Sequence, residues 1–166
     1  MFRKKKRELV KHPHKALTRQ CIEVPHGVDV TELAHDMREI MAKNNVLCLA
    51  ANQVGEKLRV LVVNCEGWNR VLVNPILVKS YGGLSSAIES SRSYPGKQAK
   101  MVRPKQIIVA CHSVRWKPLH YKLKGLVARA VLHGLDQLNG ESPSVRLEKA
   151  QDALRGEAGE ELLRNE

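Results

Sequence analysis

The chain has few aromatic residues: one Phe, two Trp and three Tyr among 166. An interior of ordinary packing density must therefore be filled by aliphatic side chains. It lacks any apolar run near the roughly 20 residues needed to span a bilayer, and its first residues contain no apolar segment of a secretory signal. Its four cysteines (Cys21, Cys48, Cys65, Cys111) form no C-x-x-C pair, which argues against a zinc ribbon and a disulfide scaffold. A reducing cytoplasm is the expected compartment, without membrane attachment; an acid-poor, basic start is also the composition of a mitochondrial presequence. Acidic residues are missing altogether from Ser90 to Leu135, where ten Lys or Arg stand.

The formal charge of +11 is unevenly placed. Residues 1–19 carry eight cations against Glu8, whereas residues 141–166 carry four cations against seven acids. Such a field attracts polyanions and gives salt-dependent binding, although a charge run can equally be a solvated face. Arg3, Lys4, Lys5, Lys6 and Arg7 in the arm, and Arg115, Lys117, Lys122 and Lys124 in the body, are the candidate phosphate contacts. Trp116 among them offers either a stacking surface for single-stranded nucleic acid or ordinary strand packing.

Val30, Leu33, Ala34, Met37, Ile40 and Met41 recur at helical spacing over Thr31–Asn44, and Asp29 with Glu32 has the pattern of a capping box. Short β-rich runs follow at 59–64, 71–73 and 106–111, and 119–123 alternates apolar and polar residues. Tyr81-Gly-Gly83 and Tyr94-Pro-Gly96 read as turns. A second helix is expected from about Leu126 to Leu138, closed by Asn139-Gly140. A polar helical tail marked by Leu147, Ala150, Leu154 and Leu162 ends the chain. Helix, several short and mostly antiparallel strands, then a central motif-bearing helix make an α+β domain. The division expected is a basic arm 1–7, a domain 8–147 and an acidic helical tail 148–166.

His133-Gly-Leu-Asp-Gln137 has the frame of H-E-x-x-H, in which two histidines on one helix face hold a metal and the glutamate is the base. Only the first histidine is present. The segments around it are more telling in series. Val46-Leu-Cys-Leu-Ala-Ala-Asn-Gln53 resembles the motif G-x-G-L-A-A-x-Q, Glu89-Ser-Ser-Arg-Ser-Tyr-Pro-Gly96 lies over E-G-C-L-S-x-P-G, and Gly125–Gly140 lies over a helix that ends H-E-x-D-H-L-N-G. With Asn74-Pro75 between the first two, the order from about Arg7 to Leu147 resembles the peptide deformylase family.

That resemblance implies a peptide-deformylase-like fold. It also implies an activity in which a cysteine and two histidines hold iron or zinc, a glutamate shuttles the proton, and a glutamine helps stabilise the oxyanion when N-formylmethionine is deformylated. Carried over by position, the metal ligands become Ser91, His133 and Gln137, the glutamate becomes Gly134, and the glutamine remains Gln53. A hydroxyl and an amide are poor replacements for a thiolate and an imidazole, and a missing base costs about 10²–10⁴-fold in rate. The expectation from sequence is therefore a pseudoenzyme with no metal cofactor that binds RNA, the ribosome or another assembly. The alternatives are a weakly active or re-ligated deformylase and a structural subunit with a protein partner. Val46, Cys48, Leu49, Gln53, Arg92 and His133 are the expected residues of the peptide cleft. His133 is either a remnant ligand or a packed, hydrogen-bonded histidine. Glu89, Arg103, Arg129 and Asp136 match structural positions of the family.

Overall fold

The computed structural model describes residues 6–142 and 145–146. Arg3, Lys4, Lys5, Leu147 and the expected tail 148–166 lie outside the described residues. A 3₁₀ turn at Lys15–Thr18 precedes α1 (Thr31–Asn44). Then come β1 (Cys48–Ala50), a 3₁₀ turn at Ala51–Val54, β2 (Val60–Cys65), β3 (Trp68–Ser90), β4 (Gln98–His112), β5 (Pro118–Lys124) and α2 (Gly125–Leu138). The five strands pair in sequence order, each antiparallel to the next, which makes the expected α+β domain. No helix among the described residues is long and apolar enough to cross a membrane.

β2 shows why the sheet is covered on two sides. Its Val-Leu-Val-Val run alternates between two apolar clusters. Leu61 and Val63 join Leu72, Ile107, Val109, Val131, Leu135 and Leu138 beneath α2, while Val60 and Val62 join Leu33, Met37, Ile40 and Met41 of α1. Successive strand residues point to opposite faces, so a continuous aliphatic run needs a helix on each. Met37, Leu61 and Leu72 are fully buried, and each contributes about 1.5–3 kcal/mol relative to an exposed side chain. α1 starts where the Asp29 carboxylate accepts the Thr31 N–H at 2.8 Å and ends at Asn45 in the left-handed region (φ 50°). α2 packs across β1, β2 and β4, with Gly140 at φ 77° beyond its end.

Tyr81-Gly-Gly83, expected as a turn, lies inside β3. It is a register shift in the β3–β4 ribbon, where strand pairing resumes at Leu84↔Pro104. Two positive-φ glycines let β3 carry one extra residue without breaking the pairing. The ribbon continues to Ser90↔Gln98, and its end brings residues 88–97 against the edge strand β1 and the start of α2.

Candidate functional site

A groove of about 910 Å³ opens between β1, the end of β3, the loop 91–97 and α2. Val46, Cys48, Gln53, Arg92 and His133, five of the expected cleft residues, line it. Leu49 does not. It is buried in the cluster under α1, because alternate residues of β1 face opposite sides.

The floor is built from neutral groups. Gln53 sits on the 3₁₀ turn after β1, where its Oε1 accepts the Ala50 N–H at 3.0 Å. Its Nε2 donates to Ser91 Oγ (3.3 Å) and Ser93 Oγ (3.2 Å). Ser91 Oγ also accepts Gln137 Nε2 at 3.1 Å and the Ser93 N–H at 3.3 Å. Gln137 is fully buried, and its Oε1 has no hydrogen-bond partner.

A charged cage lies beneath. Glu89 accepts two hydrogen bonds from Arg103 (2.6 and 2.8 Å) and one from Arg129 (2.8 Å). Arg103 also reaches Asp136 at 2.9 Å, which ties the ribbon to α2. Arg129 donates to the carbonyls of Ser85 and Met101 and braces the helix on both strands of the ribbon. Burial alone would push the Glu89 carboxyl up, but hydrogen bonds and charge from Arg103 and His133 outweigh it and hold the group well below the usual carboxylate range. His133 Nδ1 lies 2.9 Å from Glu89 Oε2. With Nδ1 directed at Glu89, Nε2 is the ring nitrogen left to accept a proton whenever the ring is neutral.

Position 134 is closed. A Cβ there would stand 2.3 Å from Leu61 Cδ1 and 2.6 Å from Cys48 Sγ. Glycine lets α2 approach β1 and β2 this closely, and the Cys48 thiol fills the space beside it. Burial, reinforced by Cys65, pushes that thiol up, so it is protonated near neutrality.

The chain has clear relatives. The polypeptide deformylase family matches residues 6–153. The chain belongs to this family. It is 39% identical over 111 residues to the peptide deformylase of Dictyoglomus thermophilum, covering 67% of this chain and 72% of that protein. It is 33% identical over 136 residues to peptide deformylase 1 of Bacillus anthracis, covering 80% and 86%. The peptide deformylase (PDF) of the Vibrio parahaemolyticus bacteriophage VP16T, solved in complex with actinonin, superposes with a TM-score of 0.78 at 33% identity, covering 81% of this chain and 98% of that one.

These relatives overturn the expectation of a pseudoenzyme that binds RNA or the ribosome; they point to an enzyme of the deformylase class. The structure removes supports of that expectation as well. Arg7, expected in a polyanion-binding arm, is held by Asp36 and Glu56 at 2.7 Å each. Trp116 is half-buried, donates from Nε1 to the Val28 carbonyl and packs against His26 and His112. Lys6, Arg115, Lys117, Lys122 and Lys124 are exposed, the last two on the edge strand β5 and Arg115 and Lys117 in the turn that leads into it. No pairing in the sequence announces where Arg7 goes, since its partners lie 29 and 49 residues away.

The metal of the family has a poor match in these residues. Ser91, His133 and Gln137 are neutral donors, and three hydrogen-bond donors already converge on Ser91 Oγ. Zinc and iron sites of this kind need at least three N, S or carboxylate ligands. Among the described residues, the one close group of three His, Cys, Asp or Glu is His35, Asp36 and Glu39 on α1, which is not part of the groove. The donor set does not fit iron or zinc.

Proposed function

We propose that the chain removes the formyl group from peptides that begin with N-formylmethionine, slowly, in the groove above Gln53, Ser91 and His133. The observation that carries this reading is the deformylase-family match over residues 6–153 together with a groove whose floor converges on Gln53 and His133. A formyl oxygen at the floor takes over one of the two Gln53 Nε2–H donors that otherwise serve Ser91 and Ser93, on an amide held in place by the Ala50 contact. Water attacking the formyl carbon gives its proton to Nε2 of His133, whose ring is aligned by Glu89. The imidazolium returns that proton to the departing amine as the C–N bond breaks, leaving formate. Without a carboxylate at position 134, turnover is about 10²–10⁴-fold below that of an enzyme with a dedicated base.

Formylated starts arise on nascent chains, so this activity belongs beside translation in a reducing cytoplasm, where the four free thiols are stable. The test is formate release from formyl-Met-Ala-Ser by the purified chain, with and without chelator. Slow, chelator-resistant release that is lost in Q53A and H133A supports the reading. Release that vanishes with chelator would assign the chemistry to a metal site instead, and absence of release would overturn the activity.

A further inference from the structure

The charge around the groove bears on which formylated peptides enter it, an inference that rests on the function proposed above. Four exposed cations stand on its walls: Lys11, Lys43, Arg92 and Lys97. Among the described residues, the one carboxylate in the lining is Glu89. It is consumed by Arg103, Arg129 and His133 beneath the floor and presents no acceptor to the rim. Among the described residues, the exposed charges of the mouth therefore have one sign.

Three of these cations have fixed backbones. The Val10 N–H donates to the Gln53 carbonyl at 2.8 Å and the His12 N–H to the Ser93 carbonyl at 2.8 Å. Lys11 is thus held between the two segments that build the floor. Arg92 stands between Ser91 and Ser93, both of which accept from Gln53. Lys43 occupies the last turn of α1. Part of its placement is explained by the helix dipole, which favours a cation there; no such term applies to Lys11 or Arg92.

Apolar surface lies inside this rim. Leu47, Ile88 and Leu126 are 46%, 63% and 44% exposed and line the same groove. An apolar first side chain has a surface to cover, and the residues after it meet cations. We propose that the groove selects formylated peptides with acidic side chains following the N-terminal methionine, with Lys11, Lys43 and Arg92 as the selecting residues.

Pairs of this kind in partly solvated surroundings shift affinity by modest factors that depend on salt. Peptides of the series formyl-Met-Glu-Glu-Ser, formyl-Met-Gln-Gln-Ser and formyl-Met-Lys-Lys-Ser, each carrying a C-terminal fluorophore, are titrated with the full chain by anisotropy. The acidic peptide is expected to bind about tenfold tighter than the basic one at low salt, narrowing to about twofold near 1 M, where the screening length is about 3 Å. K11E/K43E/R92E reverses the order, and the milder K43Q/R92Q flattens it if the triple variant does not fold. Equal affinities across the series at low salt overturn the selectivity while leaving formyl-peptide binding intact. If no member of the series binds, the selectivity and the reading beneath it both fall.

Discussion

Two polar clusters a few residues apart in sequence are built on opposite terms. The cage of Glu89, Arg103, Arg129 and Asp136 is ionised, multiply bonded and tucked under the ribbon. The floor of Gln53, Ser91, Ser93 and Gln137 is neutral, and it leaves one buried amide oxygen unpartnered. Removing one partner of a buried ion pair strands a charge, whereas exchanging a neutral group of similar shape strands little. The cage therefore governs whether the groove exists, and the floor governs what chemistry happens in it. Mutations should separate stability from activity along that line.

The largest effect is expected from R103A, which leaves Glu89 and Asp136 facing each other's environment without their shared cation. A loss of about 3–5 kcal/mol is expected by chemical denaturation; a change below about 1 kcal/mol would mean that the cage does not hold the fold. G134A comes next. Its methyl group would stand 2.3 Å from Leu61 and 2.6 Å from Cys48, and overpacking of this kind costs about 1–3 kcal/mol. Unchanged stability in G134A would show that α2 has room to move off β1 and β2.

Acid sensitivity follows from the cage as well. The Glu89 carboxyl is depressed in the folded chain, so the unfolded state takes up its proton first as pH falls. Its stabilisation is complete above the ordinary glutamate value of about 4.3 and is lost as pH drops from there toward the depressed value. Melting temperature should fall less steeply below pH 5 in E89Q than in the parent chain; parallel slopes would remove Glu89 from the account. The smallest effect is expected at the floor. Q137M should change stability by less than about 1 kcal/mol, because it removes the unpartnered oxygen along with one hydrogen bond. A loss above about 2 kcal/mol would show that the floor carries structural weight.

Much of this contrast is legible in the sequence. The helical spacing from Leu33 to Met41 places α1, and Asn139-Gly140 marks the end of α2, because amphipathic period and left-handed glycine are local properties of the chain. Glu89 and Arg103 are flagged by their motif positions. The distal ribbon was harder to read. Leu84, Ile88 and Val102 are exposed apolar residues in it, so its pattern of inside and outside is weak, and Gly82-Gly83 has the composition of a turn while serving as a bulge. Arg7 looked like part of a charge run because its partners Asp36 and Glu56 are remote in sequence. Cys48 stands at a glycine position of the first motif and Gly134 at the glutamate position of the third, and only the packing of α2 on β1 shows that one fills the space beside the other.

Formate release from formyl-Met-Ala-Ser under single-turnover conditions, with enzyme in excess and chelator present, tests the central claim most directly. Slow, complete release of one formate per peptide is expected, abolished in H133A while that variant keeps its fold. Formate release in H133A at the rate of the parent chain, or none in the parent chain itself, would contradict it.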